Sequence, residues 1–167
     1  MEKLAIHGGP PVRSVPFRKR EPFGGEEMTE LREAIESQDL FFTAGNKVAA
    51  FEKAFSEKYG ARYAVGSTSG TSSVHMAVAA LNADPGTEII TAPVTDFGTV
   101  AGIIFQGMVP IFADWKPGTF NMDPEEIEKK ITDRTRAILV VHLFGNACDM
   151  DAIMAIAAKH KLPVIED

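Results

Sequence analysis

The chain has 167 residues, 45% apolar and 24% charged, which suits one globular domain and argues against a disordered segment. A net charge of −6 excludes nucleic acid and anionic membranes as general partners, and no apolar run approaches the ~20 residues that span a bilayer. The single cysteine, Cys148, cannot form an internal disulfide, and the N-terminus carries no secretory signal, so a reducing cytoplasm is the expected location.

Residues 1–25 are rich in Gly, Pro and Arg and read as an extended arm. Two helices are expected next, over about 26–37 and 47–59. In the second, Val48, Phe51, Phe55 and Tyr59 recur at helical spacing. Between them "QDLFFTAGN" reads as a loop with exposed aromatics.

From residue 62 the pattern alternates. Short apolar runs at 63–66, 88–92, 109–113, 137–141 and 162–166 read as strands, separated by helical stretches. The first of these helices places Val74, Ala77, Val78 and Leu81 on one face. A later one carries Asp123 as N-cap, Pro124 at the first helical position and Glu126 three residues after the cap. The last places Met150, Ile153, Met154 and Ala157 on one face. Strands apolar on both faces belong in a sheet covered by helices, so the expected fold is α/β, a three-layer sandwich with a mostly parallel central sheet.

Ligands of such sheets bind beyond the carboxyl ends of the strands, and four loops there carry polar or aromatic residues. "STSGTSS" (67–73) runs straight into a helix, whose free N–H groups and dipole favour an anion such as phosphate. It is not a P-loop, because no Gly-Lys follows, and G-x-G-x-x-G is absent, which counts against a nicotinamide-binding Rossmann domain. Phe97 follows the strand at 88–92 and could cover a planar ligand, with Asp96 as a helix cap. His142 follows the strand at 137–141; a lone His there is more often structural than catalytic. Glu166 and Asp167 follow the last strand, where an acid is costly unless it meets a cation or several donors. A planar, phosphorylated, cationic heterocycle satisfies the phosphate cradle, the aromatic and the acid together, and pyridoxal 5′-phosphate is such a molecule. No cluster with metal-ligand spacing is present.

In order along the chain, "LAIHGGPPVR", "FFTAGNKVAAFEKAFSEKYGARYAV", "SGTSSVHMAVAAL", "PVTDFGTVAGIIFQGMVPIFADW", "NMDPEEIEKKITDRTRAILVVHLFG" and "DMDAIMAIAAKHKLPVIED" resemble the DegT/DnrJ/StrS family of pyridoxal-phosphate-dependent sugar aminotransferases. The resemblance implies the large domain of a fold-type-I enzyme. It implies that the amides of Gly70, Thr71 and Ser72 hold the cofactor phosphate, that Phe97 stacks on the pyridine ring, and that Asp167 pairs with the ring nitrogen. It further implies transfer of an amino group from glutamate or glutamine to a nucleotide-linked keto-sugar or a cyclitol, by a homodimer in the intact enzyme.

Asp96 departs from the family, which commonly has Thr before the stacking aromatic. The family's Schiff-base lysine follows the ring-nitrogen Asp at a distance, and none of this chain's ten lysines matches that motif. The expectation is therefore an N-terminal arm over 1–25 and a partial large domain over 26–167, inactive alone, with the catalytic lysine and a smaller domain beyond residue 167. A sugar dehydratase of the same family, with another residue replacing the lysine, is an alternative. A non-catalytic cofactor-binding or regulatory remnant is a second.

Overall fold

The computed structural model describes residues 3–167. They fall into two compact units, one ending at Ala64 and one spanning Val65–Asp167.

The first unit contains a single 3-10 turn at Ala5–His7, an irregular stretch to residue 24, and two helices, α1 (Gly25–Glu36) and α2 (Lys47–Tyr59). The Glu27 carboxylate accepts from the Gly24 N–H at 2.6 Å and fastens the start of α1. Gly60, at φ 65°, ends α2 in the left-handed conformation that glycine adopts without penalty. Lys47 Nζ bridges Glu30 and Glu33 at 2.5 and 2.6 Å, tying the start of α2 to α1. The aromatic stripe of α2 is helical as expected, and Phe51, Phe55 and Tyr59 stack along it, yet no residue from 3 to 64 is buried.

All of the core lies in the second unit. Four strands, β1 (Glu88–Thr91), β2 (Val109–Phe112), β3 (Thr135–Val140) and β4 (Val164–Glu166), form a parallel sheet in the order β2-β1-β3-β4. Four helices connect or cover them: α3 (Gly70–Ala79), α4 (Phe97–Phe105), α5 (Pro124–Lys130) and α6 (Met150–His160). The crossover from β1 to β2 runs one way across the sheet, and those from β2 to β3 and β3 to β4 run the other way. Right-handed crossovers then place α4 on one face and α5 and α6 on the opposite face. Packing agrees, because α3 lies against α4 and α5 against α6. The expected three-layer α/β arrangement is the one that forms.

One expected strand is absent. Residues 63–66 do not form a strand, and Tyr63 and Val65 are 75% and 72% exposed. A strand is held by a neighbour's ladder as well as by its own propensity, and these residues join none of the four strands of the sheet. The prediction that strands are apolar on both faces holds for the two inner ones. Ile89, Ile90, Ala137, Ile138, Leu139 and Val140 are fully buried. It fails at the edge strand β2, where Val109 and Phe112 are exposed.

The helix ends follow their local chemistry. Asp123 accepts from the Glu125 N–H at 3.0 Å with Pro124 at the first helical position. Glu126 does not return to the cap; it binds Lys129 Nζ at 2.6 Å. In α6, Asp149 caps Ala152 N–H, Ile153 and Ala157 are buried, and Met154 is 50% exposed against expectation. The buried positions of that helix are Ile153 and Ala157, and Met154 lies on the rim of the apolar face rather than under it.

At the amino-terminal end of the sheet, the buried Glu88 carboxylate meets Arg134 Nη2 and Thr132 Oγ1, each at 2.5 Å. A buried acid is tolerated when donors surround it. Cys148 is buried, and its Sγ donates to the Val141 carbonyl at 3.2 Å. Burial pushes its thiol above the ordinary value of 9.0, so at neutral pH it is a protonated packing side chain and a poor nucleophile.

Candidate functional site

The residues singled out in the loops converge at the carboxyl end of the sheet. The order β2-β1-β3-β4 places the topological switch point between β1 and β3, where α4 departs after β1.

The 67–73 loop is a web of hydroxyls around the first turn of α3. Ser69 is the N-cap, and its Oγ accepts from the Ser72 N–H at 3.1 Å. Thr68 and Ser69 hydroxyls lie 3.1 and 3.0 Å from Ser72 Oγ, and Ser67 Oγ lies 2.6 Å from Ser73 Oγ. The N–H groups of Gly70 and Thr71 are first-turn donors with no intrahelical acceptor, and both residues are exposed. This donor set, two free amides on a positive helix end flanked by hydroxyls, has the chemistry of a phosphate site. Of the three predicted amides, Ser72 is the one already capped by Ser69 in this arrangement.

The start of α4 links this loop to the acid. Asp96 caps the helix, its Oδ1 accepting from Gly98 N–H at 2.7 Å. Phe97, the first helical residue, is 72% exposed, its ring uncovered on the rim. Gly98 is pressed against α3, where a Cβ would collide with Thr71 Oγ1. The next residue, Thr99, is 2% exposed and donates through Oγ1 to Asp167 Oδ2 at 2.5 Å. Consecutive residues of α4 therefore touch the phosphate-type loop on one side and the acid on the other.

Asp167 extends β4. Its N–H donates to the Val140 carbonyl at 2.9 Å, and its carbonyl accepts from the His142 N–H at 3.1 Å. Strand alternation turns Glu166 the other way, and there it meets His142 Nε2 at 3.1 Å. His142 Nδ1 accepts from the Cys148 N–H at 3.0 Å, which leaves the proton on Nε2 facing Glu166. Both ring nitrogens are thus engaged in holding the loop after β3, a structural role.

Two features were missed from sequence. Thr99 and its neighbour Thr95, whose hydroxyls lie 2.8 Å apart, form the connection between α4 and Asp167. Their only signal was hydroxyls near the start of an otherwise apolar helix. The second is an aromatic cluster on the loops after β2 and β3. Trp115, Phe120 and Phe144 contact edge-to-face at 6.2 and 6.4 Å, all three exposed, with Phe120 and Phe144 at positive φ. Asn121 Nδ2 fastens these loops together through the Asn146 and Ala147 carbonyls at 3.0 and 2.9 Å. Among the described residues no cluster of acidic, His or Cys side chains could hold a metal, and no helix is long and apolar enough to cross a membrane.

Comparison with known proteins bears on this geometry. A family model described as the DegT/DnrJ/EryC1/StrS aminotransferase family matches residues 23–167. The spore coat polysaccharide biosynthesis protein SpsC of Bacillus subtilis is 44% identical over 144 residues, which cover 86% of this chain and 36% of that protein. The crystal structure of an aminotransferase from Psychrobacter cryohalolentis superposes with a TM-score of 0.85 at 36% identity, covering 91% of this chain and 38% of that one. The Escherichia coli GDP-4-keto-6-deoxy-D-mannose-3-dehydratase with bound hydrated PLP superposes with a TM-score of 0.80 at 29% identity, covering 89% and 39%. The chain spans about 40% of the length of the curated relatives it matches.

Proposed function

Given that the chain belongs to the DegT/DnrJ/EryC1/StrS aminotransferase family, whose members depend on pyridoxal phosphate, we propose that it forms the cofactor half-site of a sugar aminotransferase. The observation that carries this is the run Gly98–Thr99, which joins the donor-rich start of α3 to Asp167.

In this proposal the Gly70 and Thr71 amides, with Ser72, hold the phosphate; Phe97 covers the ring; and Asp167 meets the ring nitrogen. The donor set fits the group, because the anion site and the acid lie on one rim and Asp167 Oδ1 has no partner among the described residues. When bound, pyridoxal phosphate supplies an electron sink for removal of a proton beside nitrogen. The carboxylate of Asp167 holds a proton on the ring nitrogen through a charge-assisted hydrogen bond. Asp96, beside Phe97, adds negative charge at the entrance and disfavours anionic groups there.

The substrates we propose are glutamate or glutamine as donor and a nucleotide-linked keto-sugar or cyclitol as acceptor, handled by a homodimer of the intact enzyme in the cytoplasm. This chain alone is proposed to bind cofactor without turnover. In the second unit, Lys129 and Lys159 are committed to Glu126 and Glu128, and no lysine pairs with the residues of the rim. Likeness to the dehydratase supports a second reading, a dehydratase of the same family.

The test is calorimetric titration with pyridoxine 5′-phosphate, which has no aldehyde and so cannot react with surface lysines. Asp167→Asn should weaken binding about 10-fold to 100-fold, the weight of a hydrogen bond to a charged group. Inorganic phosphate should compete. Binding indifferent to both would remove the proposal.

A further inference from the structure

We infer that Thr99 is a positioning residue that holds Asp167 in the orientation needed to meet the ring nitrogen, with Thr95 setting the direction of its hydroxyl. This rests on the cofactor site proposed above and adds residues to it that touch neither cofactor nor substrate.

The argument starts from counting protons. A threonine hydroxyl has one hydrogen to give and lone pairs to accept with. Thr99 Oγ1 lies 2.5 Å from Asp167 Oδ2, and a carboxylate can only accept, so the Thr99 hydrogen is committed there. Thr95 Oγ1 lies 2.8 Å from Thr99 Oγ1. With the hydrogen of Thr99 already used, Thr95 must be the donor in that contact. The chain therefore has one direction, from Thr95 to Thr99 to Asp167, and each bond polarises the next.

Location makes the chain matter. Thr99 is 2% exposed, so water does not compete for its hydroxyl, and a buried hydroxyl without a partner would be costly. The backbone of Asp167 is fixed on both sides, by the Val140 carbonyl and the His142 N–H. Thr99 then fixes the side chain by one oxygen. Oδ1 remains, with no partner among the described residues, as the oxygen available to a ring N–H. An exposed carboxylate left to itself samples several rotamers, whereas one held by a buried donor presents a single oxygen along one line. The bond spans 68 residues of sequence, from the first turn of α4 to the end of β4, so it also registers the aromatic at Phe97 against the acid.

The experiment compares two ligands and four proteins. The ligands are pyridoxine 5′-phosphate and its 1-deaza analogue, in which CH replaces the ring nitrogen. The proteins are the unaltered chain, Thr99→Val, Thr99→Ser and Asp167→Asn. The unaltered chain should prefer the nitrogen ligand. Thr99→Val, nearly isosteric but without the hydroxyl, should lose about threefold to tenfold of that preference. Thr99→Ser should restore it. Affinity for the deaza ligand should stay unchanged in Thr99→Val, which also reports that the variant is folded. Equal loss of both ligands in Thr99→Val would mean a packing role and overturn the inference. So would a full preference in Thr99→Val when Asp167→Asn has lost it. If Asp167→Asn keeps the preference, the cofactor site itself is misassigned, and the inference falls with it.

Discussion

Leu139→Ala should destabilise the protein by about 2–5 kcal/mol, the range for emptying a fully buried leucine site. Leu139 is completely buried on β3, a strand with neighbours on both sides. In register it lies between Thr91 of β1 and Ile165 of β4. Truncation removes the transfer energy of the side chain and leaves a cavity that two paired strands cannot close by moving. Urea unfolding followed by circular dichroism should show a lower midpoint. Met154→Ala serves as the contrast. At half exposure it should cost less than about 1 kcal/mol, although its helical spacing matches that of partly buried Met150 and buried Ile153. Equal losses in the two variants would contradict the burial pattern.

Gly102→Val should cost about 3 kcal/mol and weaken ligand binding as well. A Cβ at Gly102 would meet His75 N at 3.0 Å, His75 Cα at 3.1 Å and Val74 Cγ1 at 3.3 Å. Two of these atoms are backbone of α3 and cannot swing aside. Alanine brings competing effects: it gains up to about 1 kcal/mol of helix propensity, and crowding takes back a similar amount. Gly102→Ala should therefore remain within about 1 kcal/mol of the unaltered protein. Valine adds two more methyl groups against the same wall and gains less propensity, so overpacking dominates. Because α4 carries Asp96, Phe97 and Thr99 on its first turns, its displacement should also lower affinity for pyridoxine 5′-phosphate in protein that is still folded. A valine variant with unchanged midpoint and affinity would show that α3 and α4 are not held as closely as described.

These contrasts indicate what local sequence could and could not reveal. Short-range chemistry was readable: Asp123-Pro124 starts α5, Asp96 caps α4, and β3 is a continuous apolar run. Each depends on residues a few positions apart. Tyr63–Gly66 has the composition of a strand, but its state depends on a partner that composition does not contain. Met154 has helical spacing, but its burial depends on how wide a face the sheet covers. At the site, the phosphate-type loop and the terminal acid could be named because strand tips in such sheets are where ligands bind. Thr99 could not, since its partner is 68 residues away and a threonine in an apolar helix looks like a tolerated exception. His142 sits at a strand tip as expected, and both its ring nitrogens are engaged, one with Glu166 and one with the Cys148 N–H, partners that its place in the sequence does not name.

The absence of buried residues between 3 and 64 governs what a denaturation curve can report. The slope of stability against denaturant scales with the surface newly exposed on unfolding. Helices of 12 and 13 residues without a covered face contribute little to that surface, and alone are marginal in water. The urea slope should therefore match a domain of about 100 residues, the size of the Val65–Asp167 unit, rather than one of 167. The cooperative transition is in effect a titration of the sheet and its four helices, with the first two helices as thermodynamic bystanders.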